Sequence, residues 1–471
     1  MSDIGALSQI DHIVVLMLEN RSFDNMLGYL ALDETYAFRD QLDGLNATMK
    51  NTYKGKGYRV HPLPATTMRS WETPNHDGPD VDKQLARHGG GFVENFVRTR
   101  DAAHQAAASD PASCCVTGYH TGDQLYAFDQ LARNYTVCDR WFCSVPGATM
   151  PNRLYSVCGT SGGLRSNKKV NGFDFPIYHL PSFVRQLDDH ASWRWYRHDA
   201  LIPSTLSLFD PEYRVGHNRD FSLYADFARH CSTGKLANVS WLEPGFFDKW
   251  GFLHENDDHP PTDVVRGQQL VHEVCEAVMS SPCWSKTLLV VVYDEHGGFF
   301  DHVAPPDADD DDPSMRRYGV RVPALLVSPY TSAGVCSTVF DHTSILRTIL
   351  DRFRPDLDRG VMGRRVAAAN NLSSALGARV AEPRHVSAAA MPAAEPQPGQ
   401  SAQGIADLIR SSRDGLSMAR TLKAHVDEHP PTEGRPLDDL QVGLVIAAGE
   451  LSHLNAGPSK RDLTRANISP R

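Results

Sequence analysis

Apolar residues gather in three nearly unbroken runs, at residues 10–18 (IDHIVVLML), 288–293 (LLVVVY) and 322–327 (VPALLV). Runs this short and this rich in Val, Ile and Leu predict strands covered on both faces, as in a parallel sheet. Residues 238–242 and 193–196 are weaker strand candidates. Between the runs the spacing becomes helical: across residues 263–279, Val264, Gln268, Val271, Val274 and Val278 share one side, with Pro260 and Pro261 ahead of them as a start signal. Strands alternating with helices predict an α/β sandwich with a mainly parallel central sheet flanked by helices.

Periodicity weakens between about 30 and 110, where polar residues and a Gly triplet at 89–91 predict an insertion of short helices over the sheet. The acidic run DADDDDPS within 304–315 lacks the regular spacing of a calcium loop and is expected to be solvated. Residues 381–403 are rich in Ala, Pro and Gln and read as a linker after a catalytic domain of residues 1–380. Helical patterns at 405–425 and 437–454 then make residues 404–471 a C-terminal helical appendage. No internal repeat is present.

With 471 residues, 41% of them hydrophobic, the chain can bury a large core. Its formal net charge of −10 excludes the basic stripe of a nucleic-acid binder. The same charge argues against simple electrostatic attraction to an anionic membrane and does not exclude a zwitterionic surface. Nine cysteines without a CxxC pair predict buried, reduced thiols. Residues 1–9 have no basic region, and the run at 13–18 meets Glu19, Asn20 and Arg21 at once, so neither a secretory signal nor a transmembrane span is read. The expected location is the cytoplasm, or outside the cell by a route that needs no such signal.

Open α/β sheets bind ligands at the carboxyl ends of their strands. There the first run ends in Glu19-Asn20 and the run at 288–293 in Asp294-Glu295. Either pair alone is equally suited to capping the next helix. Together they offer carboxylate and amide oxygens to one hard or borderline divalent cation. In VPGATMPNR, Thr149 has the residue type of an N-cap, where a hydroxyl would sit at the positive end of a helix and could attack phosphorus. The chain holds 21 histidines, the side chain best suited to proton transfer at neutral pH. His254, His259 and His342 fall at expected strand-to-helix junctions, and His76, His120, His296 and His302 are further candidates.

Five segments, ENRSFDNMLGYL, CDRWFCSVPGATMPNR, NDDHPPTDVVRGQQLVHEV, KTLLVVVYDEHGGFFDHV and FDHTSILRTIL, occur in an order that resembles the bacterial and plant phosphoesterase family of non-haemolytic phospholipases C and related acid phosphatases. The resemblance spans residues 9 to about 355. It implies an alkaline-phosphatase-like fold and one divalent metal ion (Ca, Mn, Mg or Zn) held by Glu19, Asn20, Asp294 and Glu295. Thr149 would be the nucleophile, bound to the metal as its alkoxide, with His259, His342 and His254 about the phosphate. Asn152, His120 and His76 would contact substrate. The implied substrate is a phosphatidylcholine-like phospholipid at a membrane surface, cleaved to diacylglycerol and a phosphorylated head group. The alternatives are an acid phosphatase with the same site and a non-catalytic phosphate- or metal-binding protein. Ala148 departs from the family's usual Pro, and His120 stands where an aromatic residue is commoner.

Overall fold

The computed structural model describes residues 4–112, 114–167, 178–198, 204–214, 217–246 and 255–379. The linker expected at 381–403, the appendage expected at 404–471 and His254 lie outside the described residues.

Eight strands form the central sheet: β1 His12–Leu18, β2 Thr136–Cys138, β3 Trp193–Arg197, β4 Phe221–Leu223, β5 Val239–Glu243, β6 Thr287–Tyr293, β7 Ala324–Val327 and β8 Gly334–Cys336. They lie in the order β8-β2-β7-β6-β1-β5-β3-β4. Only β7 runs against its neighbours; the other pairings are parallel. The runs read from sequence are thus the middle of the sheet, and β6 is buried at every position. The three-residue strands β2, β4 and β8, at and next to the sheet's edges, carried no pattern long enough to be seen.

The flanking helices include α1 Tyr126–Asn134, α2 Thr149–Cys158, α3 Val264–Met279 and α4 Thr343–Phe353. Side chains alternate across a strand, so adjacent residues of β1 serve opposite layers. Met17 meets Ser156 of α2 on one face. Leu18 is in register with Tyr293, whose ring packs edge-on against Phe128 of α1 on the other. The sheet therefore has helices on both faces, as expected.

The insertion between β1 and α1 is more than loops over the sheet. A hairpin (Lys50–Tyr53 with Lys56–Arg59) and helices Gly78–Gly89 and Phe92–Thr99 share a second apolar core, in which Tyr58, Val81, Phe92 and Phe96 meet Phe299 and Phe300. Apolar residues that the weak periodicity left unassigned are spent inside it. Among the described residues the exposed large apolar side chains are Leu223 and Val361, neither of them in the insertion. The acidic run at 304–315 is not wholly solvated either: Asp310 is buried, accepting from Tyr155 (2.8 Å) and paired with Arg365 (3.1 Å). All nine cysteines are free thiols, most of them buried. No helix among the described residues is long and apolar enough to cross a membrane.

Insertion and sheet are locked by a buried charge network. Arg321 bonds Asp301 (2.9 Å) and Asp24 (3.1 Å), while His302 reaches Asp24 through Nδ1 (2.8 Å) and Asp43 through Nε2 (3.0 Å). Burial opposes charge on His302, but the hydrogen bond and charge of Asp24 outweigh it and hold its pKa at about 9. The imidazolium therefore contributes stability in full below the unfolded value of 6.5, and that contribution is lost as pH rises through 9. Denaturant titrations across this window should show wild type losing more stability than His302→Gln; parallel losses would refute the charged assignment.

Candidate active site

Leu18 and Tyr293 are register partners, so β1 and β6 end side by side. Beyond them the backbones stay bonded, Asp294 N to Leu18 O (3.1 Å) and Arg21 N to Glu295 O (3.0 Å). The turn after β6 closes over Asn20: a Cβ on Gly297, at φ +62°, would lie 2.2 Å from the Asn20 carbonyl oxygen, so only glycine fits there. Asn20 itself has φ +67°. Glu19, Asn20, Asp294 and Glu295 are all buried at this edge.

A guanidinium stands among them. Arg153, on α2, donates through Nε to Asp294 Oδ2 (2.8 Å) and through Nη2 to Glu19 Oε2 (3.1 Å), and lies over the Phe246 ring. Among the described residues, the ligand atoms of His, Cys, Asp and Glu that approach within 4.8 Å of one another as a trio belong instead to Asp24, Asp301 and His302, where Arg321 supplies the balancing charge. Arg153 was not singled out from the sequence. Its signal was the spacing: four residues after Thr149, it shares that residue's helix face.

The acid pair is electrostatically strained. Burial pushes Glu295 up to about 8, with Asp294 adding to the rise and His76 opposing it. Burial likewise raises Asp294 against the pull of Arg153. Both amide atoms of Asn20 and Glu295 Oε1 are buried without a hydrogen-bond partner. These unpartnered oxygens and raised carboxylates form an all-oxygen set whose chemistry fits a hard or borderline divalent ion.

Thr149 is the first residue of α2, and Ala148 rather than Thr149 occupies the N-cap position. Asn152 does the holding: its amide accepts from Val145 N (3.0 Å) and donates to the carbonyls of Val145, Gly147 and Ala148 (3.1–3.2 Å). With its hydrogen bonds committed to that loop, Asn152 positions the hydroxyl-bearing turn in place of the substrate contact expected of it. The Thr149 side chain is not spent on capping, and it sits one turn before the residue that grips Glu19 and Asp294.

The histidines separate into two groups. His76 comes from the insertion, its Nε2 3.7 Å from Glu295 Oε1, and its ring meets that of His259 edge-on at 6.1 Å. His259 is brought here because Glu19 N bonds Asp257 O (2.9 Å) and Arg21 Nε bonds Asp258 O (2.9 Å). His342 is different. Trp141 Nε1–H donates to its Nδ1 (3.3 Å), and its Nε2–H donates to the Asp294 carbonyl (2.6 Å). Burial pushes its pKa down to about 4, which keeps the ring neutral. It braces Asp294 from behind, where a phosphate contact was expected. His120 is fully buried, its Nδ1 facing Gln124 Oε1 (3.2 Å), and burial together with the charge of Arg21 brings it to about 3. It lies within the packing around Arg21.

A parallel α/β sheet whose carboxyl edge gathers buried acids, a hydroxyl at a helix start and two histidines has the parts of a phosphoric ester hydrolase. The chain belongs to the Phosphoesterase family, whose model matches residues 10–355. It is 32% identical over 397 residues to non-specific phospholipase C6 of Arabidopsis thaliana, covering 74% of this chain and 68% of that one. It is 30% identical over 408 residues to phospholipase C B of Mycobacterium tuberculosis, covering 74% of each. Among solved structures, the lipoteichoic acid synthase LtaP from Listeria monocytogenes matches over 78% of this chain and 77% of its own, at 11% identity and a TM-score of 0.36. A protein of the alkaline phosphatase superfamily from Vibrio parahaemolyticus matches over 53% and 65%, at 9% identity and a TM-score of 0.32. Likenesses this weak add nothing to the topology.

Asn152→Ala should release the turn at 145–148, costing about 2–3 kcal/mol by urea denaturation and lowering turnover while divalent-ion affinity stays near wild type. Unchanged turnover would show that the turn holds itself.

Proposed function

We propose that the chain is a divalent-metal-dependent phospholipase C, hydrolysing phosphatidylcholine-like phospholipids to diacylglycerol and a phosphorylated head group through a phospho-threonine intermediate. The observation that carries this reading is the buried acid edge, its carboxylates raised by burial, beside the start of α2, in a chain whose relatives include proteins named phospholipase C. Glu19, Asn20, Asp294, Glu295 and the Thr149 hydroxyl would hold the metal. Such an ion, when bound, stabilises charge on phosphoryl oxygens and lowers the pKa of a hydroxyl.

The Thr149 hydroxyl gives up its proton to solvent, and its Oγ attacks phosphorus in line with the glyceryl oxygen. The new O–P bond forms as the phosphorus–glyceryl bond breaks, and diacylglycerol leaves with a proton from the His76–His259 pair. The same histidines and the first N–H groups of α2 offset charge on the non-bridging oxygens. Water then attacks phosphorus, releases the phosphorylated head group and restores the hydroxyl. Arg153 bridges Glu19 and Asp294, and His342 and Asn152 hold the two turns in place.

Thr149→Ala should lower turnover by at least ~10³-fold with metal content intact, and acid-quenched wild type should carry the head-group phosphate on the peptide containing Thr149. A Thr149→Ala protein of normal rate would remove the assignment. Release of phosphocholine from phosphatidylcholine, and not of free phosphate from a monoester, separates this reading from an acid phosphatase.

A divalent ion at ~100 times its Kd should stabilise the folded chain by about 2.7 kcal/mol, seen as a rise in Tm. Asn20→Ala and Glu295→Gln should each abolish most of that rise. A full response in both variants would place the ion elsewhere.

A further inference from the structure

The segment KNTYKGKGYR holds Lys50, Lys54, Lys56 and Arg59 and no carboxylate, in a chain whose net charge is −10. It forms the hairpin of the insertion. Asn51, Tyr53 and Tyr58 are buried while all four cations are exposed, Lys50 and Arg59 on the outward face, Lys54 at the tip and Lys56 beside it as the register partner of Tyr53. Register sets Lys50 directly opposite Arg59, and like charges facing across strands destabilise a sheet. At the tip Lys54 has φ +48°, a place where Asn, Asp or Gly is favoured. Nearby ion pairs engage Lys83, Arg87 and Arg98, and among the described residues none joins a carboxylate to these four cations. Beside the hairpin opens a cavity of about 640 Å³, its wall including Lys54, Lys56 and Arg98, the last paired with Glu94, and no acid. Repelling charges kept close without an internal counter-charge are balanced by an external anion.

We infer that this hairpin is a docking surface for an anionic phospholipid membrane. The inference rests on the phospholipase reading, which makes a lipid surface the place where substrate is met. The insertion that carries the hairpin also carries His76 to Glu295 and bonds Gln84 to His296 (2.8 Å), so it borders the acid edge. Attraction is electrostatic: the inward tyrosines offer no ring for a nucleic-acid base to stack on, and no large apolar side chain of the insertion is exposed to enter the bilayer. The acidic net charge excluded such attraction for the molecule as a whole; the local field of the hairpin reverses it within a Debye length of the surface.

The test is cosedimentation of the full chain with vesicles of phosphatidylcholine alone or with about 30% phosphatidylserine, at ~0.05 M and ~0.5 M salt. The phosphatidylserine vesicles should bind at least about tenfold more tightly at low salt, and high salt should erase the difference. The double variant Lys54→Glu, Lys56→Glu should lose that tenfold while hydrolysing water-soluble p-nitrophenyl phosphocholine at the wild-type rate. Equal binding to both vesicles, unchanged binding by the variant, or preference for a DNA duplex over the anionic vesicles would overturn the docking surface. If the soluble diester is not hydrolysed while salt-sensitive vesicle binding persists, the phospholipase reading fails and the docking surface stands.

Discussion

Burying several carboxylates at one edge of a sheet is the constraint around which this molecule is arranged. Glu19, Asp294 and Glu295 lose their water because β1 and β6 are adjacent, in register and covered on both sides. An unpaired buried charge is costly, and the chain places the Arg153 guanidinium between two of the three. The remaining deficit shows in the raised Asp294 and Glu295 and in the partnerless amide of Asn20. In the proposed phospholipase reading, a divalent cation held here would relieve stress that folding has already imposed.

Rigidity around the edge is supplied by groups that do not themselves face a substrate. Asn152 ties down the turn before Thr149, and His342, held by Trp141, pins the Asp294 carbonyl. Trp141 and His342 come from the segments that follow β2 and β8. Those segments are stitched together by Ser144 Oγ to Asp341 Oδ2 (2.7 Å) and His342 N to Ser144 Oγ (3.2 Å). The short outer strands that look least important in the sequence thus aim the supports of the central acids.

The insertion adds what the sheet lacks. It brings His76 over Glu295, and its own core keeps that histidine from being carried by a loose loop. Asp24, Asp301, Arg321 and His302 weld it to the sheet, with cations and anions interleaved so that none is buried alone. It also presents a basic face on an acidic protein, a local property that net charge conceals.

The sequence by itself determined the central strands, because a strand buried on both faces must be apolar at nearly every position, and residues 10–18 and 288–293 are. It also placed Glu19, Asn20, Asp294 and Glu295 at one edge, since each pair follows such a strand directly. What it could not rank was the histidines and amides. A histidine at a junction reads the same whether its nitrogens face a phosphate or a carbonyl, and only the positions of Trp141 and Asp294 decided that His342 is a brace. Asn152 and Arg153 are neighbours in one motif, yet the helix turns one toward its own loop and the other toward Glu19 and Asp294. Tertiary contacts made those choices, from the loop a few residues before Asn152 to Trp141 some two hundred positions from His342, and they leave no periodic trace in the chain.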